Sequence, residues 1–100
     1  MIRGTTPTHT FNIPFYASDI EVVKIIYSQN DNILFTKNTE DCLRTAKSIV
    51  VKLEQEDTYL FDHNYPVQIQ LRVKLTNGDV RSTNVIYVPV GKCLDDEVLV

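Results

Sequence analysis

The chain has 100 residues, the size of one small domain, and its 43% hydrophobic and 23% charged content is globular rather than disordered. Ten basic and thirteen acidic residues leave a net charge of −3, which provides no electrostatic footprint for nucleic acid. No apolar run is long enough to span a membrane, and residues 1–100 are read as a single domain with one core.

The opening MIRGTTPTHT lacks the apolar segment of a signal peptide, so the chain is expected to be made in a cytoplasm and kept there or packed into an assembly. HTFNIPF then sets His9, Phe11, Ile13 and Phe15 on one face and Thr10, Asn12 and Pro14 on the other. A period of two marks a half-buried strand. Proline cannot donate to a ladder, which places this strand at a sheet edge. Residues 21–29, EVVKIIYSQ, put Val23, Ile25 and Tyr27 on one side. Asn30-Asp31-Asn32 follows as a turn, because short amide and carboxylate side chains bond the local backbone. ILFTKN returns, and the pair reads as a hairpin.

Residues 39–47, TEDCLRTAK, read as a loop or extended edge with at most one helical turn. Thr39 is a possible cap, but Cys42 stands where a capping box needs Glu or Gln. In SIVVKLEQ, Ile49, Val51 and Leu53 face inward. In QEDTYLFDHN, residues 55–64, Leu60 and Phe61 are expected to plug the end of the core. PVQIQLRVKLT carries the strongest alternation, with Val67, Ile69, Leu71, Val73 and Leu75 on one face. Asn77-Gly78 suits a type I′ hairpin turn into DVRSTNVIYVPV. A two-residue turn sets Val67 opposite Val88 and Ile69 opposite Ile86, and points Ser82 and Asn84 inward. A one-residue slip brings in Val85 and Tyr87 instead, and a bulge near Ser82-Thr83-Asn84 reconciles both.

Six or seven short strands without a long helix predict an all-β fold: an immunoglobulin-like antiparallel β-sandwich, with a small barrel as the runner-up. The disulfide and core Trp of antibody domains are missing; the chain has no Trp. Cys42 and Cys93 are read as free thiols of a reducing compartment.

The candidates for chemistry are few. Glu54, Glu56 and Asp57 could supply paired carboxylates, and Asp62 beside His63 suggests a base with its orienting group. We read the acids as loop residues, with Asp57 or Thr58 capping a short turn, and His63 as a loop histidine. Ser18, Ser28, Ser48 and Ser82 lack a nucleophile-elbow context, and no local motif pairs Cys42 or Cys93 with a histidine. His9 falls on the apolar face of the first strand and is read as a satisfied, half-buried side chain. Asn30, Asp31 and Asn32 lack the spacing and closing Glu of an EF-hand. The five tyrosines are read as core rim, with a contact surface as the alternative. The tail KCLDDEVLV sets Asp95, Asp96 and Glu97 before an apolar Val98-Leu99-Val100, and reads either as a frayed terminus or as a strand donated to a neighbour.

MIRGTTPTHTF, LEQEDTYLFD, VQIQLRV and KCLDDEVL together resemble a family of small proteins of this length from tailed phages and prophages of Gram-positive gut bacteria. The middle stretch also resembles the amino-terminal β-domain of phage upper baseplate proteins, where a similar polar turn precedes a Q-x-Q-rich strand. The resemblance implies a phage-encoded protein of the late structural region. It transfers no activity and no functional residue. The expectation is a non-enzymatic structural or assembly protein of the tail or baseplate, assembled in the host cytoplasm and carried in the virion. Its partners would be particle proteins or further copies of itself, with no nucleic acid or membrane and no catalytic, metal or cofactor site. The alternative is a stand-alone phage- or prophage-encoded module that binds a host protein or a cell-surface glycan.

Overall fold

The computed structural model describes residues 1–100 as two antiparallel sheets packed face to face. The strands are β1 (Thr8–Asn12), β2 (Ile20–Gln29), β3 (Asn32–Asn38), β4 (Cys42–Thr45), β5 (Ser48–Lys52), β6 (Val67–Leu75), β7 (Val80–Ser82) and β8 (Ile86–Val88). One short helix, α1 (Gln55–Thr58), and two 3-10 turns, Ala17–Asp19 and Thr39–Asp41, lie between them. The smaller sheet has the order β1-β5-β4, so the first strand does lie at an edge. The larger has the order β3-β2-β6, with β7 and β8 end to end along the far edge of β6. The Cα envelope measures 46 × 29 × 17 Å, the flat form of a two-layer sandwich.

The core follows the alternation of the sequence. Val23, Ile25 and Tyr27 of β2, Ile49 and Val51 of β5 with Leu53 just beyond it, and every second residue of β6 from Val67 to Leu75 are buried. β-Branched and aromatic side chains suit this pleated surface, which is why these runs form strands. A bulge in β3 sets Tyr27 opposite Phe35 and Ser28 opposite Ile33. Leu34 and Phe35 therefore both pack against the core, and the Phe35 ring stacks on Tyr27 with centroids 4.7 Å apart.

The hairpin turns differ from the sequence expectation. Type I′ geometry is found at Asn30-Asp31, where both residues have positive φ (49° and 62°) between paired Gln29 and Asn32. At Asn77-Gly78 only Gly78 is left-handed, at φ 94°. Its N–H donates to Leu75 O at 2.9 Å, and the Leu75 N–H donates to Asp79 O at 2.8 Å. That is a three-residue turn closed by a left-handed glycine bulge, not the expected type I′ pair.

The extra turn residue settles the register. Near the turn, Lys74 faces Val80 and Arg72 faces Ser82; farther on, Val67 faces Val88 and Ile69 faces Ile86. The two halves are out of step by one residue, and the break at residues 83–85 absorbs the difference. Thr83 bridges it, donating from its N–H to Leu71 O and accepting from Leu71 N–H through Oγ1. The return strand is thus split in two, which raises the strand count to eight.

Two further corrections are local. The turn at 39–41 is capped one residue earlier than expected: the Asn38 N–H donates to Asp41 Oδ2 at 2.8 Å, and Thr39 instead ties to β2 by accepting from the Val23 N–H. Leu60 is 55% exposed, so Phe61 alone plugs the core.

Candidate functional site

The stretch 55–64 forms one corner of the molecule and divides it into inward and outward side chains. Asp57, the third residue of α1, accepts from the N–H of the cap residue Glu54 at 2.9 Å, its half of a capping box. The same carboxylate meets Lys37 Nζ of β3 at 2.8 Å, with both side chains about four-fifths buried. Thr58 is buried and donates to Thr5 O at 2.8 Å. Phe61 packs against Phe35 at 5.6 Å and Tyr27 at 6.3 Å between ring centroids. The loop that follows is tied down by the buried Gln29 side chain. Its amide donates to Asp62 O and Tyr65 O and accepts from the Asp62 N–H, all within 2.8 Å.

These contacts dissolve the acid–base constellation. The Asp62 carboxylate accepts from the backbone and side-chain nitrogens of Asn64, both at 2.9 Å, and so serves a local turn. His63 and Glu56 are exposed, and neither lines any surface depression of the molecule. Ser28 bonds Gln68, Ser48 bonds Thr45, and Ser82 accepts from Arg72; none meets a histidine. No three His, Cys, Asp or Glu side chains converge in a metal-binding group.

His9 is held as expected. Its Nδ1 lies 2.8 Å from the Tyr27 hydroxyl, and the two rings stack with centroids 5.8 Å apart. Burial, and secondarily the amino-terminal charge, lowers the His9 pKa below its usual 6.5. Burial, with the nearby Cys42 and Asp57, pushes the Tyr27 phenol well above its usual range. A neutral imidazole accepting from a neutral phenol satisfies both groups. Cys42 is a free thiol whose pKa burial and Asp41 raise, the opposite of an activated nucleophile; Cys93 is also free.

The outward residues of the corner hold the tail. Gln55 and Tyr59 stand four residues apart on one face of the helical turn. The Gln55 amide accepts from the Leu99 N–H and donates to Leu99 O, both at 2.8 Å, the donor–acceptor pair that a neighbouring strand would offer. The Tyr59 hydroxyl lies 2.7 Å from Glu97 O and 3.0 Å from Asp95 O and donates to one at a time. Arg3 pairs with Asp96 at 3.1 Å, donates to Tyr59 O and lies over the Tyr59 ring. Gly4 makes this approach possible: a Cβ there would sit 2.5 Å from the ring, and its φ is +76°. Within this chain the tail is therefore clipped on by side chains rather than frayed, and it turns at residues 95–97, where the Glu97 N–H donates to Asp95 Oδ1 at 2.8 Å. Its apolar groups gain little from the attachment, since Leu94 is 96% and Leu99 74% exposed.

Exposed apolar groups are not confined to the tail. Val80, Val85, Ile86 and Tyr87 lie exposed along the split return strand. Tyr65 and Tyr87 flank a depression of about 190 Å³ on the outer side of the larger sheet, where Gln68 donates to Asp31. The tyrosines thus divide: Tyr27 belongs to the core, whereas Tyr16, Tyr65 and Tyr87 are exposed. No helix is long and apolar enough to cross a membrane. No protein-family model matches the chain, and neither a curated protein nor a solved structure matches it at a significant level.

Proposed function

We propose that the protein is a non-enzymatic structural or assembly component of a phage particle, of the tail or baseplate, that acts through protein–protein contacts. The phage assignment rests on the sequence resemblance. The docking role rests on one structural observation: fifteen large hydrophobic residues are exposed, as many as make up the core. Eight of them lie on the tail (Leu94, Val98, Leu99, Val100) and on the β7–β8 arm (Val80, Val85, Ile86, Tyr87). Contiguous exposed apolar surface marks interaction sites, and open sheet edges serve an assembly where they would endanger a monomer. Mass spectrometry of purified virions from the encoding lysogen tests the reading. The chain is expected among the particle proteins, and its consistent absence would sink the proposal.

A second reading, a binding module for a host protein or a cell-surface glycan, draws on the Tyr65–Tyr87 depression. Exposed rings beside amide and carboxylate groups suit a polar ligand with an apolar face. Under this reading the chain is absent from particles, binds in a glycan array, and loses that binding when Tyr87 is replaced by Ala.

A further inference from the structure

We infer that Gln55, Tyr59 and Arg3 form a receptor for a peptide segment, filled in cis by residues 95–99 and exchangeable with the same segment of a second copy of this chain. Three observations carry this. The receptor grips mainly backbone: the Gln55 amide pairs with both peptide groups of Leu99, and Tyr59 reaches the carbonyls of Asp95 and Glu97. Only Asp96 is recognised by its side chain, through Arg3. An identical segment from a second copy would make the same bonds in the same register, so exchange leaves the bonding enthalpy nearly unchanged.

The chain also has a hinge in the right place. It is fixed as far as Gly91, whose N–H donates to Met1 O and whose carbonyl accepts from the Arg3 N–H. No hydrogen bond holds the backbone of residues 92–94, and the clamp begins again at Asp95. The Cys93 thiol alone spans this gap, donating to Asp95 O at 3.0 Å, so redirecting the tail here costs one weak hydrogen bond.

Finally, the cis arrangement leaves apolar side chains in water. Leu94, Leu99 and Val100 are all more than 70% exposed, whereas a tail lying between two bodies can bury them. Apolar burial scales with area, so association is favoured by the groups that intramolecular docking leaves out.

The inference rests on the tail being a docking element, and its test is separate from that of the particle reading. Two full-length variants are made. Gln55→Ala/Tyr59→Phe removes the receptor's grips on the tail backbone and keeps the tail; Asp96→Arg/Leu99→Pro removes the tail's carboxylate and its Leu99 N–H and keeps the receptor. Native mass spectrometry over a concentration series should show wild type dimerising to twice its 11.5 kDa mass. Each variant alone should self-associate about tenfold or more weakly, for the loss of two or more hydrogen bonds. Their equimolar mixture should recover a one-to-one heterodimer, since it restores one intact clamp. A mixture without heterodimer, or variants that dimerise as well as wild type, overturns the exchange. Circular dichroism establishes that each variant folds, and the milder pair Tyr59→Phe with Leu99→Pro serves the same test if a double variant does not. Absence of heterodimer together with presence in virions defeats the exchange alone; heterodimer together with absence from virions defeats the particle reading alone.

Discussion

Phe61→Ala isolates what the 55–64 corner contributes. The ring is 1% exposed and contacts both Phe35 and Tyr27, so its removal deletes apolar burial and two aromatic contacts together. Truncating a buried Phe to Ala costs about 3–5 kcal/mol, the cavity included. A domain of this size has a total stability of about 5–15 kcal/mol, so the substitution removes a large fraction of it. At about 4–8 °C per kcal/mol for a chain of this length, the melting temperature should fall by roughly 12–40 °C. Urea titration followed by circular dichroism measures the loss as a shift of midpoint at nearly constant slope. The controls are the neighbours that chemistry would have favoured. Leu60→Ala, with its side chain in solvent, and His63→Ala should each change stability by less than about 0.5 kcal/mol. A loss under about 1 kcal/mol for Phe61→Ala, or a larger loss for His63→Ala, would refute the core-plug reasoning and return the corner to consideration as a site.

Gln29→Leu should cost about 1–3 kcal/mol, because three backbone groups of the 62–65 loop lose their partner; hydrogen exchange at the Asp62 amide should accelerate selectively. Gly4→Ala and Gly78→Ala carry the same left-handed backbone penalty of about 1–2 kcal/mol, but only Gly4→Ala meets the Tyr59 ring. Gly4→Ala should therefore melt lower and lose amide protection at Leu99, whereas equal melting temperatures would argue against the close approach. For His9, whose folded pKa is lowered, the unfolded chain binds the proton more readily between the two values. Its contribution to stability is full above pH 6.5, falls as the pH drops toward the folded pKa, and is constant below it. NMR titration should place the His9 midpoint below 6.5, and His9→Asn should flatten that limb of the stability curve. Arg81→Ala should change stability by less than about 1 kcal/mol at any salt, since its pair with Asp79 is open to water, whereas Lys37→Ala should cost more and show little salt dependence.

What the sequence revealed and what it hid divide along a physical line. Period-two alternation reports burial directly, so the inward faces of β2, β5 and β6 and the all-β sandwich were legible. Phe61 was legible as a plug, but Leu60 was not. Helical geometry turns residues 58 and 61 to the same side and residue 60 away, and a single helical turn is too short to announce its period. Asn77-Gly78 signals a turn but not which one. A type I′ pair needs positive φ at both residues, and here only the glycine adopts it. The break at residues 83–85 follows from that extra turn residue and was foreseeable only as a way to reconcile two registers. The partners of His9, Gln29 and the tail lie 18 to 93 residues away, beyond any local pattern.

The same separation of faces couples the fold to the tail. Thr58 and Phe61 point inward and fix where the helical turn sits, while Lys37 holds Asp57 and so sets its orientation. Gln55 and Tyr59 then point outward from a backbone that is already anchored, so only their side-chain rotamers are ordered when a segment binds. A receptor built this way pays little ordering entropy when a segment binds. It follows that inward substitutions should lose stability and tail binding together, whereas outward ones should release the tail from a body that still melts as wild type. Tyr59→Phe separates the two cases most cleanly. It removes one hydroxyl that bonds the carbonyls of Asp95 and Glu97, and leaves the ring under Arg3 in place.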